Sequence, residues 1–226
     1  MYLIWLLISI FFGLLIKKVA YGLIMEQSML RRSFWMTVDE VYERESQLEY
    51  IVIQSSLTLL FLLLFYQKGM SLELFKLTFF TIMMVLIGYV DFKTTFVYRL
   101  TTFITFVGGL IFILLESIQL KAWPIDSIAG CLIGFSVIGL IILLTRGMGE
   151  GDVEIASLCG LFLGTVGSIL TLFFGIILGG IAGTILLARQ KKGLKDEMAF
   201  GPYLVAGAFI AMLWGNELFQ WYLSLF

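Results

Sequence analysis

Residues Gly147 to Asp152 read Gly-Met-Gly-Glu-Gly-Asp and set a carboxylate at the end of a glycine-rich stretch between two apolar runs. A second carboxylate, Asp91, closes an earlier apolar run in Val90-Asp91-Phe92-Lys93. Two carboxylates brought together at low dielectric cannot both ionise easily, so one keeps a proton while the other acts as a base. Such a pair can activate water. The ionised member takes a proton from the water as it attacks a peptide carbonyl, and the protonated member donates a hydrogen bond to the developing oxyanion. The chain contains no His, which removes His-assisted serine or cysteine catalysis and the commonest zinc ligand. Cys131 and Cys159 lie in separate apolar runs without any CxxC and read as packing thiols. If the chain is an enzyme, carboxylate acid–base chemistry is what remains. Either motif alone also fits a plainer account, a solvated acid at a helix end and a tight glycine turn.

What must position these residues is a bilayer. Of the 226 residues 60% are hydrophobic and only 14% charged, with a mean hydropathy of +1.02, far from a soluble domain. Apolar runs fall at about Tyr2 to Met25, Tyr50 to Tyr66, Leu72 to Val90, Leu100 to Leu120, Ile125 to Thr145, Ile155 to Val166, Ile169 to Ala188 and Phe200 to Phe226. A span needs roughly 20 apolar residues, so the sixth is short and reads as tilted or partly re-entrant. The expected fold is all-α and polytopic, with about eight transmembrane helices.

Eight alternating spans with the N-terminus outside put 12 of the 15 Lys and Arg residues on one side, leaving only Lys68, Lys76 and Lys121 opposite. The positive-inside rule makes that side cytoplasmic and both termini extracytoplasmic. Asp91 and Asp152 then meet the same cytoplasmic boundary. The expected division is residues 1–49, an N-terminal anchor retained in the mature protein plus a short cytoplasmic loop, and residues 50–226, the core carrying both aspartates. Lys17 and Lys18, near the end of the first run, are expected to snorkel to the interface. Gly175, Gly179 and Gly183, four apart, and Gly160 with Gly164 read as small-residue packing faces. The loop of residues 26–49 places Phe34, Trp35, Val38 and Val41 at near-helical spacing, as in a surface helix, and its acids Glu40, Glu43 and Glu45 are candidates for holding a basic peptide.

These stretches resemble the type IV prepilin peptidases, intramembrane aspartic proteases of the GxGD type. Gly147 to Asp152 looks like the family's second catalytic motif and Asp91-Phe92-Lys93 like its first. Phe200-Gly201-Pro202-Tyr203-Leu204, followed by Ala206-Gly207-Ala208, resembles its Phe-Gly-Pro start of the last span. The resemblance covers roughly Ser71 to Trp214. It implies that Asp91 and Asp152 form the catalytic pair, supported by Gly147, Gly149 and Gly151. It also implies that Phe200, Gly201 and Pro202 either contact substrate or make an ordinary turn. The implied activity is removal of the basic leader from prepilins or pseudopilins at the cytoplasmic face of a bacterial cell membrane. The partners would be those substrates and the bilayer, with no direct contact to nucleic acid.

Departures from the family pattern are as specific as the matches. Tyr98 stands where Pro is usual, Glu154 where Lys is usual, and Ala199 where Pro commonly precedes Phe-Gly-Pro. The first loop is short and has no CxxC, so zinc is not expected, and proteolysis needs no cofactor. The Gly-Ser-Phe usually found late in the first span is absent, so S-adenosylmethionine enters only if methyltransferase activity is retained. Short forms of this kind resemble competence-type members, which implies pseudopilins of a DNA-uptake apparatus. Two other functions fit the acids: a small proton- or cation-coupled transporter, and a non-catalytic pilus assembly factor. A carrier more often places its acids near the midplane and shows inverted repeats, and neither is evident here.

Overall fold

The computed structural model of the chain describes residues 2–30, 38–145, 148–188 and 198–225. Their regular elements are seven helices: α1 Tyr2–Leu30, α2 Val38–Lys68, α3 Leu72–Thr94, α4 Arg99–Leu120, α5 Ile125–Thr145, α6 Glu150–Ala188 and α7 Gly201–Leu223. Six of them, α1 to α6, are long and apolar enough to cross a membrane. The eight expected runs are carried by seven helices because the sixth and seventh share α6. The chain forms two compact units, Met1–Leu86 and Ile87–Phe226.

In the first unit α1 and α2 pack antiparallel through a ladder of unlike rungs. Trp5 meets Phe61 edge-on, with ring centroids 6.2 Å apart. One turn on, the Ser9 and Thr58 hydroxyls share a hydrogen bond of 2.9 Å. Gln54 then fills the space a side chain at Gly13 would need. The Lys17 ammonium, expected to snorkel, lies 4.9 Å from the centre of the Tyr50 ring. Lipid tails are as apolar as leucine, so close packing and hydrogen bonds hold such a pair together, with little hydrophobic contribution. Gly69, at φ 58°, ends α2, and Lys68 pairs with Glu73 at 2.7 Å across the turn into α3.

The second unit is organised by a reversal inside α6. A straight helix of 39 residues would be nearly 60 Å long, about twice a bilayer core. At Gly164 the backbone takes φ 72° and ψ −170°, a region that only glycine occupies comfortably. The chain turns back there. Residues 150–163 pack antiparallel to α5 in four-residue steps: Gly134 with Ala156, Gly130 with Gly160, and Asp126 with Gly164. A Cβ at Gly130, Gly134 or Gly160 would run into the opposing backbone, so the two helices touch main chain to main chain. Residues 165–188 pack antiparallel to α7, with Thr171 against Gly207, Gly175 against Leu204 and Gly179 against Phe200. Asp126 clasps the turn: its carboxylate accepts a 3.1 Å hydrogen bond from the Thr165 backbone N–H.

Gly160, Gly175 and Gly179 thus serve close packing as their spacing indicates, whereas Gly164, grouped with them in the sequence, makes the turn. Gly164→Ala puts a methyl group into a glycine-only conformation and against the Asp126 carboxylate. It is expected to destabilise the detergent-solubilised protein by about 3 kcal/mol. Gly180→Ala, in the same helix with none of the described residues within 4 Å of the added methyl group, is expected to change stability by less than about 0.5 kcal/mol. Thermal unfolding of the two variants, compared with wild type, checks the contrast.

Candidate active site

Asp91 lies one turn inside the C-terminal end of α3, and only 4% of it is exposed. The helix stops one turn after it, for a local reason. The Thr94 hydroxyl turns back to the Val90 carbonyl at 2.8 Å, and the Thr95 N–H bonds the Asp91 carbonyl at 2.7 Å. Thr95 itself sits at φ 54°. A β-branched residue in the left-handed region is a costly conformation, of the kind found where a loop must be aimed. This turn sends Phe96, Val97 and Tyr98 across toward the start of α6. Tyr98, where the family pattern has Pro, caps α4 at φ −77°, a value proline itself would take.

Asp152 is in the first turn of α6, not in the loop before it, and is 6% exposed. Its carboxylate accepts a 3.1 Å hydrogen bond from the Gly149 N–H, and its own N–H bonds the Gly149 carbonyl at 3.1 Å. This reciprocal pairing satisfies a donor that a helix N-terminus otherwise leaves open. The glycines differ in role. A Cβ at Gly151 would come within 2.6 Å of the Val97 side chain, so Gly151 is where the α3–α4 loop packs onto α6. At Gly149, among the described residues, nothing but Asp152 Oδ2 and the Gly151 nitrogen comes within 4.0 Å of such a Cβ.

The two carboxylates are near enough for the charge of one to act on the other. Both line one cavity of about 390 Å³, room for several waters, with Thr95, Val97, Glu154 and Phe200 among its walls. Asp91 Oδ2 is buried without a hydrogen-bond partner, although Gly201 lies against the same carboxylate and its backbone interacts with it. A Cβ at Gly201 would stand 2.5 Å from Asp91 Oδ2 and 2.7 Å from Ile155 Cδ1, so only glycine fits between α3 and α6 there. Glu154 accepts a hydrogen bond from the Thr102 hydroxyl at 2.5 Å. Glu150 faces Arg99 at 3.6 Å with both side chains exposed, a pair that contributes little. A pair of buried, mutually repelling carboxylates on one polar cavity has the parts to deprotonate a water and to stabilise an oxyanion.

A model of the Type IV leader peptidase family matches residues 78–184, which include both aspartates and Glu154. Over these residues the chain is similar to the type IV leader peptidase family. It is 35% identical over 120 residues to the prepilin leader peptidase/N-methyltransferase of Aeromonas salmonicida strain A449, covering 52% of this chain and 41% of that protein. The Aeromonas hydrophila protein of the same name is 34% identical over 122 residues, 53% of this chain and 42% of that protein. That of Bacillus subtilis strain 168 is 24% identical over 164 residues, 70% of this chain and 62% of that protein. The matched part is thus about two fifths of the length of the two Aeromonas relatives. No solved structure matches the chain.

Most of the singled-out residues converge on this cavity. Asp91, Asp152, Gly149, Gly151 and Phe200 all line the cavity, and Gly201 closes in on Asp91 from outside the matched region. Pro202 is in the first turn of α7 and is not among the lining residues. Phe200 also packs on Gly179, so it anchors α7 as well as facing the cavity. Gly147 and the side chains of Glu40, Glu43 and Glu45 lie outside the described residues. Thr95, Val97 and Thr102 were not foreseen from sequence. A signal existed for the last: Thr101, Thr102 and Thr105 cluster at the start of an otherwise apolar helix, and all three are buried.

Gly151→Ala is expected to cost about 2 kcal/mol through its collision with Val97. In a Val97→Gly background, which removes the Cβ as well as the methyl group standing 2.6 Å away, the same change should cost less than about 0.5 kcal/mol, the coupling expected of touching residues. Gly149→Ala should be near neutral. Unfolding midpoints of the four variants measure this cycle.

Proposed function

We propose that the chain is an aspartic endopeptidase that removes the basic leader of type IV prepilins or pseudopilins at the cytoplasmic boundary of a bacterial membrane. The observation that carries the reading is the pair Asp91 and Asp152, two buried carboxylates from different helices that feel each other's charge in one cavity. The relatives' name, prepilin leader peptidase, supplies the substrate class. One carboxylate takes a proton from the attacking water while the other, protonated, steadies the carbonyl oxygen. The roles then exchange as the amine leaves. A basic leader stays at the charged surface while the apolar segment behind it lies in the bilayer, so the scissile bond is presented at the depth of the pair. The dense cationic loops on that side assign it to the cytoplasm.

The short first loop supports a competence-type role with pseudopilins of a DNA-uptake machine as substrates. Methyl transfer, which the relatives' name also includes, has no matching Gly-Ser-Phe motif in this sequence and is not part of the proposal. S-adenosylmethionine enters only if methyl transfer is retained, and zinc is not expected because the first loop has no CxxC.

The decisive assay incubates the detergent-purified protein with a pseudopilin and follows leader removal on a gel. Asp91→Asn and Asp152→Asn should each lower the rate by at least about a thousandfold without loss of fold. Cleavage that survives either change sinks the proposal. Reversing Glu40, Glu43 and Glu45 together to lysine should weaken cleavage about tenfold at limiting substrate and little at saturation, if the loop holds the leader by charge. An unaltered rate at limiting substrate removes the loop from the binding site.

A further inference from the structure

Beside the aspartate cavity lies a second, larger hollow of about 660 Å³, lined by Phe103 and Phe106 of α4, Phe135 of α5 and Leu158 of α6. Its walls are almost wholly apolar. Two residues line both hollows, Arg99 and Glu154, so they mark the junction between them. A peptide running from the polar cavity into the apolar groove passes this point. Asp91, almost fully buried with an unpartnered oxygen in the polar cavity, shows which side holds the bond to be cut.

The two junction residues differ in what engages them. Arg99 is exposed and turned toward Glu150. Glu154 is half-buried, its Oε2 held by the Thr102 hydroxyl, and it has no cationic partner among the described residues. A half-buried carboxylate without a counter-charge is costly, and Thr102 compensates only one of its oxygens. Hydrolysis produces the missing cation at this place. Water oxygen bonds to the carbonyl carbon and the carbon–nitrogen bond breaks. The nitrogen leaves with a proton, and the new α-amine then takes up another at neutral pH. The fragment bearing that amine is the apolar one, whose first residues belong in the groove.

Building on the peptidase reading, we propose that Glu154 receives the newly formed α-ammonium group of the apolar product, so the site recognises a free N-terminus at the head of an apolar segment. Thr102 orients the carboxylate for this role. Such a contact forms only after the bond is cut, so it acts on the product and not on the uncut substrate. The leader's own cationic side chains lie on the other side of the scissile bond and do not need Glu154.

Equilibrium binding to the detergent-purified full chain tests this without relying on turnover. The probes are a synthetic apolar peptide matching the head of a mature pseudopilin, with a free N-terminus or N-acetylated, and a separate basic leader peptide. Wild type should bind the free-amine peptide about tenfold more tightly than the acetylated one, as a charge-assisted contact supplies. Glu154→Gln, which keeps the shape and the acceptor for Thr102, should bring that ratio close to one and leave the acetylated peptide and the leader unchanged. Thr102→Val should shrink the ratio only in part. An equal ratio in wild type and Glu154→Gln overturns the proposal, as does loss of leader binding in its place. Failure of wild type to cleave a pseudopilin sinks the peptidase reading instead, and that result is read in a different assay.

Discussion

Everything in the second unit depends on the chain reversing at Gly164. Without that turn α6 would carry residues 165–188 away from Asp152, and α7 would have nothing at that end to pack against. With it, residues 150–163 line up with α5, residues 165–188 line up with α7, and the start of α7 is returned to the level where α6 began. Gly201 is thereby delivered to Asp91 from more than 100 residues beyond it in sequence. Two things hold the reversal: a backbone conformation limited to glycine, and the Asp126 clasp on Thr165. The main-chain contacts of Gly130, Gly134 and Gly160 then fix how closely the α5 and α6 backbones approach, which matters where lipid offers little hydrophobic drive for association.

Much of this was legible from residue types. Polytopic all-helical architecture follows from run length and hydropathy, and the leader peptidase motifs single out both aspartates. Small-residue spacing correctly marks Gly160, Gly175 and Gly179 as contact points. The sequence could not distinguish those glycines from Gly164, because a packing glycine and a turning glycine have the same side chain, and only φ separates them. The same applies around Asp152. Gly149 and Gly151 look alike in the motif, yet one donates a hydrogen bond to the aspartate and the other makes room for Val97. A contact made by an ordinary valine from a distant loop leaves no periodic or compositional trace.

The departures from the family pattern also become physically intelligible. Tyr98 holds a proline-like φ and caps α4 through its carbonyl, so the turn survives the substitution. Glu154 replaces a cation with an anion beside two other acids, which in isolation would be a liability. Its hydrogen bond to Thr102 draws it toward α4. The strain at Thr95 belongs to the same local economy: a loop bent against its preference brings Val97 onto Gly151 and so couples the end of α3 to the start of α6.

The rungs between α5 and α6 have one more consequence. Continued by another four-residue step, they set Asp152 level with Ile138, seven residues short of the end of α5 at Thr145. At 1.5 Å per residue α5 overshoots the aspartate by about 10 Å. The second stretch of α6 overshoots too, from Gly179 beside Phe200 to Ala188. The carboxylate pair thus sits at the floor of a well with two helical walls, sunk below the rim of the bundle. On the peptidase reading proposed above, a peptide that reaches the pair must already be extended for several residues.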